Sequence, residues 1–543
     1  MPQAVPGSSI ESSSLEKLTQ QLQQEEQQLR QGGGERGISR QRKLGRLLAR
    51  ERIAALLDPG TEPFELGLWA AHKMYEQWGP VPAAGSIAVI GQIQGRSCLI
   101  IANDATVKAG AFFPQTVKKL LRAQRIAYEC RLPLLYLVDS AGVFLPLQDE
   151  IFPDEDDFGR IFRNNAVLSA SGIPQMAAVM GSCIAGGGYL PVLCDKLLMT
   201  EGSGLYLAGP ALVKAAIGQE ADAEELGGAS MHAEVSGTVD FHEPDDEHCL
   251  KRLRSLVDTL PSEPKEDVRE NQPPTRDPRE VYQIVSADNT KEYDAYELLE
   301  TIVDAGSLLP YKQEYGKALV TTYARIGGHP VGIIANQRIR TSTSRGRIEI
   351  GGVIYTKSAD KAARFVMDCN QSKLPIIFLQ DVVGFMVGKE AEQSGIIRSG
   401  AKLVNAVSNS VVPKITILVG HSFGAGNYAL CGKAYDPNFI LAWPNAKCTV
   451  MGSSQAANTL LAVQKKAAEK RGTPLTEEET EDLRKQITEG YDEQMDIRYA
   501  AARGWVDAII PPHATRDTLS YLLQLVKRHP VGTRPFHTGV IQT

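Results

Sequence analysis

Short apolar runs alternate with helix-like patterns over two long stretches of the chain. The runs "SIAVIGQI", "SCLIIAND", "LPLLYLVDS" and "PQMAAVMGS" are bounded by turn residues, and segments with apolar residues at helical spacing separate them. Alternation of this kind predicts βαβ units and a largely parallel sheet. The same pattern returns from about Tyr282 to the C-terminus, so the sequence predicts an α/β fold.

A polar segment rich in proline and charge separates the two stretches. Residues 266–281 make up most of it, and such a composition is typical of a linker between domains. We therefore predict a flexible N-terminal tail over residues 1–19, a first domain over 20–265, the linker, and a second domain over 282–543. A chain of 543 residues is also too long for a single core.

Two helical patterns precede the first stretch. Leucines near helical spacing predict a surface helix over residues 15–31, which ends at three consecutive glycines. Residues 40–61 predict a basic helix whose arginines form a solvated face, with contact to a phosphate as the alternative. A long charged helical region is predicted near residues 455–503.

The two stretches resemble each other in sequence. "RLPLLYLVDSAGVFLP" (131–146) pairs with "KLPIIFLQDVVGFMVG" (373–388), and "GIPQMAAVMGSCIAGGGYLPVLCDK" (172–196) pairs with "VVPKITILVGHSFGAGNYALCGKAYD" (411–436). The segments keep the same order and similar spacing. Two tandem copies of one α/β domain explain this self-similarity.

The stretch "VGHSFGAGNYAL", residues 419–430, has three interpretations. Residues 420–424 match G-x-S-x-G, the nucleophile elbow of serine hydrolases, with Ser422 as nucleophile. Residues 424–429 match the dinucleotide fingerprint G-x-G-x-x-A. In the third interpretation, a small-residue turn opens a helix and offers its backbone N–H groups to an anion.

The duplication favours the third interpretation, because both copies have a buried strand, a small-residue turn and then helical spacing. The dinucleotide fingerprint expects an acidic residue about 20 positions on, where "AWPNAK" stands. The hydrolase interpretation needs a downstream acid and histidine, for which Asp436 or Asp482 and His513 are candidates. It also stays possible that both glycine clusters only allow close packing of helix against strand.

Composition and charge limit the classes of partner and the compartment that the sequence allows. A net charge of −6 gives no basic field for nucleic acid, and no apolar run approaches the ~18 residues that span a membrane. The first 29 residues lack an apolar core and arginine, which argues against a secretory or transit signal. Eight scattered cysteines without a C-x-x-C pair predict reduced thiols and no zinc site. We expect a cytoplasmic protein without a metal.

Seven motifs together carry a family resemblance. They are "ANDATVKAG", "LVDSAGVFLPLQDEIFPDEDDFGRIFRNNA", "MGSCIAGGGYLP", "LAGPALVKAAIG", "FLQDVVGFMVG", "GAKLVNAVSNSVVPKITILVG" and "GAGNYALCGKAYDP". In this order they resemble the carboxyltransferase (β) subunits of biotin-dependent acyl-CoA carboxylases, and the methylcrotonyl-CoA carboxylase branch in particular. The resemblance covers the chain from about residue 20 to its C-terminal end.

That resemblance implies a fold, an assembly and a partner. The fold would be two tandem crotonase-like domains of the ClpP/crotonase superfamily, built of ββα superhelical units. Six copies would form a dimer of trimers, with each active site shared between two chains. Biotin would be carried covalently by a partner α chain with biotin carboxylase activity. No P-loop occurs in this sequence, and Lys73-Met74 lacks the methionine that precedes a biotinylated lysine.

The resemblance also implies site residues. Gly186 and Gly187 would hold the thioester oxygen of the acyl-CoA, and Ala425 and Gly426 would hold the ureido oxygen of biotin. The residues expected to line the acyl-CoA side are Ala141 and Gly142, and those expected on the biotin side are Gly384, Phe385 and Met386. Local packing is the alternative role for these five. No side-chain base is required, because the ureido N1 can take the substrate proton.

The implied reaction transfers CO₂ from carboxybiotin to an acyl-CoA similar to 3-methylcrotonyl-CoA. Propionyl-CoA, acetyl-CoA or another acyl-CoA, a decarboxylase subunit using the same site, and an inactive CoA-binding scaffold are the alternatives. Ala141 and Val143-Phe144 depart from the usual methylcrotonyl-type pattern, and a bulkier valine there could change the accepted acyl chain. The basic residues 337–350 predict an exposed hairpin, or a contact with CoA phosphates or the biotin carrier.

Overall fold

The computed structural model describes residues 13–261, 270–342, 346–471, 473–528 and 535–542. Its strands are β1 (Phe64–Leu66), β2 (Ser86–Ile93), β3 (Arg96–Asn103), β4 (Leu134–Ser140), β5 (Gln175–Ile184), β6 (Lys196–Thr200), β7 (Gly204–Tyr206), β8 (Phe241–Glu243), β9 (Leu309–Pro310), β10 (Leu319–Ile326), β11 (His329–Asn336), β12 (Thr341–Ser342), β13 (Ile348–Glu349), β14 (Val353–Ile354), β15 (Ile376–Val382), β16 (Gly384–Phe385), β17 (Lys414–Phe423), β18 (Phe439–Ala442), β19 (Lys447–Thr449) and β20 (Ala508–Ile509).

The helices of the described residues surround two sheets. They are α1 (Ser14–Leu29), α2 (Gly34–Lys43), α3 (Ala49–Leu56), α4 (Pro114–Glu129), α5 (Phe158–Ala170), α6 (Tyr189–Val192), α7 (Pro210–Ile217), α8 (Ala223–Gly227), α9 (Ala229–Glu234), α10 (Asp246–Asp258), α11 (Val281–Ile284), α12 (Ala295–Leu299), α13 (Thr356–Gln371), α14 (Lys389–Gln393), α15 (Ile396–Asn409), α16 (Gly424–Ala429), α17 (Ser453–Lys470), α18 (Glu477–Met495), α19 (Ile497–Ala502) and α20 (Thr515–Val526).

The two eight-stranded sheets have the same topology, and two small sheets of two strands each, β12-β13 and β14-β16, accompany them among the described residues. The first has the order β1-β2-β3-β4-β5-β6-β8, with β7 paired to the end of β5. The second has the order β20-β18-β17-β15-β11-β10-β9, with β19 paired to the end of β17. In each, an antiparallel hairpin leads into parallel strands. The predicted α/β class and the predicted repeat of one unit are therefore present in the chain.

Parallel strands buried on both faces explain the continuous apolar runs in the sequence. Every residue of β4 is buried, as is every residue of β15. A large core cluster joins the faces of the two sheets and contains residues from both halves, such as Tyr136 and Phe439. Smaller clusters cover the outer face of each sheet.

The N-terminal helices differ from the sequence prediction. Residues 40–61 do not form one helix, because α2 ends at Lys43 and α3 begins at Ala49, with Gly45 in a left-handed conformation (φ 70°) between them. The prediction of a solvated basic face is wrong for Arg52. Its side chain is buried and pairs with Asp246, with Nε 2.8 Å from Oδ2.

The predicted tail and linker lie partly outside the described residues, whereas the predicted hairpin and charged helical region lie mostly within them. Residues 1–12 and 262–269, with parts of the expected tail and linker, lie outside the described residues, and α1 begins at Ser14. Within the expected linker, Asn271 and Gln272 accept hydrogen bonds from Arg516. The predicted hairpin is confirmed by the antiparallel pair β12–β13, and the charged helical region is confirmed by α17 to α19. Among the described residues, no helix has the length and apolar content needed to cross a membrane.

Candidate active site

Two equivalent strand–turn–helix elements stand at corresponding positions of the two sheets. In the first half, β5 runs into the 3-10 turn Ala185–Gly188 and then α6. In the second half, β17 runs directly into α16. The residue after each strand has a left-handed backbone, with φ 60° at Ala185 and φ 51° at Gly424. The predicted pair of small-residue turns therefore exists, and the two turns share their backbone geometry.

The four predicted donor residues lie in the first turn of these helical segments. The first N–H groups of a helix have no intrahelical acceptor and carry the positive end of its dipole. Gly187 and Gly426 are buried, Gly186 is half-buried and Ala425 is exposed. Each turn thus presents backbone N–H groups at a boundary between core and open space, where they can bind an oxyanion.

The second turn is packed more tightly than the first. A Cβ atom on Gly426 would lie 2.5 Å from Cγ2 of Val382, whereas a Cβ on Gly187 would meet only the Phe158 ring, at 4.0 Å. Gly426 needs its missing side chain because of this contact and not because of its backbone angle, since the left-handed residue of that turn is Gly424. The position of α16 therefore depends on close contact between Gly426 and β15.

The five predicted lining residues lie in the loops after β4 and β15. The N–H of Ala141 donates to Ala109 O at 3.0 Å, and the N–H of Gly142 donates to Ser140 Oγ at 3.0 Å. These two amides are occupied, so they can line a site but cannot bind a ligand oxygen in this conformation.

The corresponding loop of the second half is built in the same way. Gly384 has φ 137°, a conformation that favours glycine, and Gly384–Phe385 pair in parallel with β14. The N–H of Met386 donates to Ile354 O at 2.9 Å. A Cβ on Gly384 would meet nothing within 4 Å, so open space lies over this loop.

A row of aromatic rings leads away from the first turn. Phe158 lies next to Gly186 and Gly187, and its ring packs against Phe112 at 4.8 Å and Phe162 at 4.9 Å between centroids. Val143 forms a parallel β-bridge with Phe112 and packs against the large core cluster that contains Phe112 and Phe158. The sequence did not predict these rings as a group, since they come from three separate segments.

Ser422 is part of a buried hydrogen-bond network and is not an exposed nucleophile. Its hydroxyl donates to Gln380 Oε1 at 2.6 Å and accepts from Asn427 Nδ2 at 2.8 Å. The proposed triad partners are elsewhere: His513 Nδ1 lies 2.7 Å from Tyr282 Oη, and Asp436 pairs with Arg125. The hydrolase interpretation of this stretch is therefore wrong.

We expect Ser422→Ala to keep the carboxyl transfer that the family resemblance implies within about tenfold of wild type while lowering stability by about 1–3 kcal/mol. The loss of stability arises because Gln380 and Asn427 would each lose a buried partner. Carboxyl exchange between an acyl-CoA and biotin, measured beside urea unfolding, checks both expectations. A covalent nucleophile would instead cost about 10⁶-fold in kcat, so an inactive but fully folded variant would contradict this role.

Sequence reasoning missed two buried carboxylates behind the turns, Asp139 and Asp381. Burial raises the pKa of Asp139, against the opposing effect of Arg52 and Arg46. Burial would also raise the pKa of Asp381, but the hydrogen bond from His421 and the charge of Arg338 hold that pKa below its usual value. The sequence signal that could have pointed to them is that Asp139 and Asp381 occupy equivalent positions in the two copies.

The described residues set further limits on the site. They contain no group of three or more His, Cys, Asp or Glu side chains arranged to hold a metal ion. All eight cysteines are free thiols. Within the described part of the chain, no hydrogen bond, ion pair or ring contact joins the turn at 185–188 to the turn at 424–429.

A turn that presents backbone N–H groups can stabilise negative charge on one oxygen. Two such turns, one on each copy of the α/β unit, therefore suit an enzyme that transfers a group between two carriers. The carboxyl transferase domain model matches residues 40–538, and the chain belongs to that family. The prediction of a carboxyltransferase of the acyl-CoA carboxylase β type is confirmed by this match and by the relatives that follow.

Similar proteins share most of their length with this chain. The methylcrotonoyl-CoA carboxylase beta chain, mitochondrial, of Arabidopsis thaliana is 43% identical over 97% of this chain and 89% of its own. The biotin-dependent 3-methylcrotonyl-coenzyme A carboxylase beta1 subunit of Mycobacterium tuberculosis is 46% identical over 92% of each. The geranyl-CoA carboxylase beta subunit of P. aeruginosa has a TM-score of 0.85 and 34% identity, covering 100% of this chain and 99% of its own.

Proposed function

We propose that this chain transfers CO₂ from carboxybiotin to 3-methylcrotonyl-CoA or a similar acyl-CoA, as the carboxyltransferase component of a biotin-dependent acyl-CoA carboxylase. The observation that carries the proposal is the duplicated turn, in which Ala185 and Gly424 share a left-handed backbone and lead into equivalent donor positions. The printed names of the Arabidopsis and Mycobacterium relatives support the choice of acyl group.

Each turn would serve one developing oxyanion. The N–H groups of Gly186 and Gly187 would donate to the thioester oxygen as the enolate forms. Those of Ala425 and Gly426 would donate to the ureido oxygen. Losing one such donor typically costs about 10²–10³ in rate. Carboxybiotin, when bound, supplies the CO₂ and then the N1 atom that takes the substrate proton.

The flanking loops would shape the two halves of the site. Ala141 and Gly142 would line the acyl-CoA side, because Gly142 lies close to the residue that precedes the first turn. A Cβ on Gly142 would lie 3.3 Å from Ile184 O at the end of β5. Gly384, Phe385 and Met386 would line the biotin side, because β16 packs against α16 and leaves open space above Gly384. A flat ring can approach the backbone there without meeting a side chain.

Aromatic rings would line the acyl side of the site and would suit a short, branched, unsaturated chain. Val143 packs with the cluster of Phe112 and Phe158, whereas the Phe144 ring stacks on Phe113, 4.3 Å away. Of the three residues that depart from the usual pattern, Ala141 and Val143 would therefore lie on the acyl side of the site, and Phe144 would not. Geranyl-CoA is a second candidate, because the geranyl-CoA carboxylase beta subunit has the same fold at a TM-score of 0.85.

We also infer that several copies of the chain assemble and that each active site is shared between two copies. Exposed apolar side chains lie beside each turn, among them Tyr189, Leu193, Tyr428 and Val450. Such residues favour contact with a second copy of the chain. A homo-hexamer of crotonase-like domains with shared sites would cover them, and a biotin carboxylase and carrier chain would be the further partner. The predicted cytoplasmic location stays a prediction, and the Arabidopsis relative is named as mitochondrial.

The test is a panel of acyl-CoAs supplied to the full chain together with a biotinylated carrier and biotin carboxylase. We expect ATP-dependent carboxylation of 3-methylcrotonyl-CoA to exceed that of geranyl-CoA, propionyl-CoA and acetyl-CoA, and to vanish when the carrier is omitted. A decarboxylase subunit would act only on carboxylated acyl-CoAs. A scaffold that lost activity would bind CoA esters and show no carboxyl exchange, which would refute the proposal.

A further inference from the structure

The strand pair that leads into each turn contains the same irregularity. Val138 pairs with Val179, but Ser140 pairs with Cys183, so β5 has two extra residues opposite Asp139. Gln380 pairs with Leu418, but Val382 pairs with Ser422, so β17 has two extra residues opposite Asp381. Bulges of this kind redirect a strand and often stand beside active sites.

An aspartate fills the pairing gap in each bulge. Asp139 Oδ1 accepts the N–H of Ser182 at 3.1 Å, and Asp381 Oδ1 accepts the N–H of His421 at 2.8 Å. The donor residue stands three positions before the left-handed residue of its turn. A buried N–H without an acceptor is costly, so each carboxylate fixes the path of the strand just before the turn.

Two further residues of each bulge are equivalent. Asn103 Oδ1 accepts the N–H of Asp139 at 3.4 Å, and Asn336 Oδ1 accepts the N–H of Asp381 at 3.1 Å. Opposite them, a Cβ on Gly181 would lie 2.1 Å from Asp139 Cγ, and a Cβ on Gly420 would lie 2.4 Å from Asp381 Cγ. Each aspartate therefore lies against a bare backbone that only glycine provides.

The charges around the two aspartates come from different segments. Arg52 Nη1 and Arg46 Nη1 lie 3.6 and 3.8 Å from Asp139 Oδ2, and Arg52 also donates to Met180 O inside the bulge at 2.8 Å. At Asp381, Arg338 Nε lies 3.1 Å from Oδ2 and the Tyr293 hydroxyl donates to the same oxygen at 3.1 Å. Asp381 Oδ2 thus accepts a hydrogen bond from a hydroxyl, whereas Asp139 Oδ2 accepts none from the described residues and is held by the charges of the two arginines.

We propose that Asp139 and Asp381 are positioning residues, each of which sets the orientation of one turn by holding the bulge in front of it. Asp139 acts on the turn at Gly186 and Gly187, and Asp381 acts on the turn at Ala425 and Gly426. The inference rests on the proposed function, because it assigns each aspartate to one half of the reaction. Neither aspartate is required to touch a substrate.

The test uses Asp139→Asn and Asp381→Asn, which keep the side-chain volume but turn an NH₂ group toward a donor. One assay follows decarboxylation of a carboxylated acyl-CoA without biotin. There the C–C bond breaks, CO₂ leaves, and water protonates the enolate. The other follows decarboxylation of carboxybiocytin without acyl-CoA, in which the N–C bond breaks and water protonates the ureido anion. Each partial reaction needs only one of the two turns.

We expect Asp139→Asn to slow the first partial reaction about 10- to 100-fold and to leave the second within about threefold. Asp381→Asn should do the reverse, because a misplacement of about 1 Å can cost ~10²-fold in rate. Gly181→Ala and Gly420→Ala should reproduce the two patterns, since their Cβ atoms displace the carboxylates from the opposite side.

Asp304→Asn is the matched control. Asp304 is as buried as Asp381, pairs with Arg516 at 2.7 Å, and accepts the N–H groups of Gly327 and Gly328 at the opposite end of β11 from Asn336. It should lose comparable stability in urea while both partial reactions stay within about threefold of wild type.

Equal loss of both partial reactions in each variant, or no loss in either, would overturn the inference. A wild-type chain without carboxyl exchange and without either partial reaction would instead overturn the proposed function. The two failures are therefore distinguishable.

Discussion

Replacing Gly426 by alanine should lower carboxyl transfer at least about 100-fold. The new Cβ would lie 2.5 Å from Cγ2 and 3.0 Å from Cγ1 of Val382, a fully buried residue of β15. Because β15 pairs with a strand on each side, it cannot shift away from the new Cβ. We therefore expect α16 to move, and the N–H groups of Ala425 and Gly426 to move with it. Misplacing or losing one oxyanion donor costs about 10²–10³ in rate.

Two further variants separate this effect from misfolding. Gly490→Ala lies in α18, where a Cβ would meet nothing within 4 Å, and it should leave activity unchanged. Gly426→Ala combined with Val382→Ala removes both clashing methyl groups, so the double variant should regain part of the lost rate. Circular dichroism and size exclusion monitor the fold. Full activity in Gly426→Ala alone would show that the position of α16 does not limit catalysis.

The second large effect concerns the contact between the two halves of the chain. The side chain of Asp507, just before β20, is 2% exposed and lies between Arg122 of α4 and Lys433. Arg122 Nε and Nη2 donate to its two oxygens at 2.8 and 2.7 Å, and Lys433 Nζ lies 2.8 Å from Oδ1. The N–H of Ile440 completes the set at 2.9 Å. Each oxygen of the Asp507 carboxylate therefore accepts hydrogen bonds from two donors.

Asp507→Asn should therefore destabilise the protein by about 3–5 kcal/mol, because it leaves Arg122, whose side chain is only 15% exposed, without its counter-charge. Asp436→Asn is the control: it pairs with Arg125 on the same helix, at 2.7 Å, but its side chain is 65% exposed. An exposed pair of this kind contributes at most about 1 kcal/mol. Urea unfolding followed by circular dichroism compares the two variants, and equal losses would mean that burial of Asp507 is not the cause.

The pH dependence gives an independent check. Burial opposes ionisation of Asp507, but the charges of Arg122 and Lys433 hold its pKa far below the usual range. A depressed carboxylate pKa gives stability that is fully present above the unfolded value near ~4 and is lost as pH falls through the folded value. The stability difference between wild type and Asp507→Asn should therefore shrink below about pH 4 and stay constant above it.

Predictions from the sequence were strongest where the physical signal is local. The run "LPLLYLVDS" predicts a buried strand, and β4 covers Leu134–Ser140 with every residue buried. The small-residue turns after β5 and β17 were also predicted, since small residues allow a backbone to approach a ligand. The repeat further indicates that the two turns have equivalent roles, because equivalent segments keep their order.

Predictions failed where the partner lies far away in sequence. The basic pattern at residues 40–61 suggests a solvated face, but Arg52 is buried because Asp246 meets it there. G-x-S-x-G suggests a nucleophile at Ser422, but Gln380 and Asn427 enclose that hydroxyl. Neither partner can be read from local spacing.

The α/β class, the tandem repeat, the family and the positions of the two turns could all be predicted from the sequence, because strand burial, helix periodicity and turn composition are properties of neighbouring residues. The contacts that hold those turns in place could not be predicted in this way. The bulges opposite Asp139 and Asp381 arise from pairing between strands about 40 residues apart in the chain, since Ser182 and His421 supply the N–H groups that the carboxylates accept. Hydrogen bonds of that range depend on how the whole chain folds.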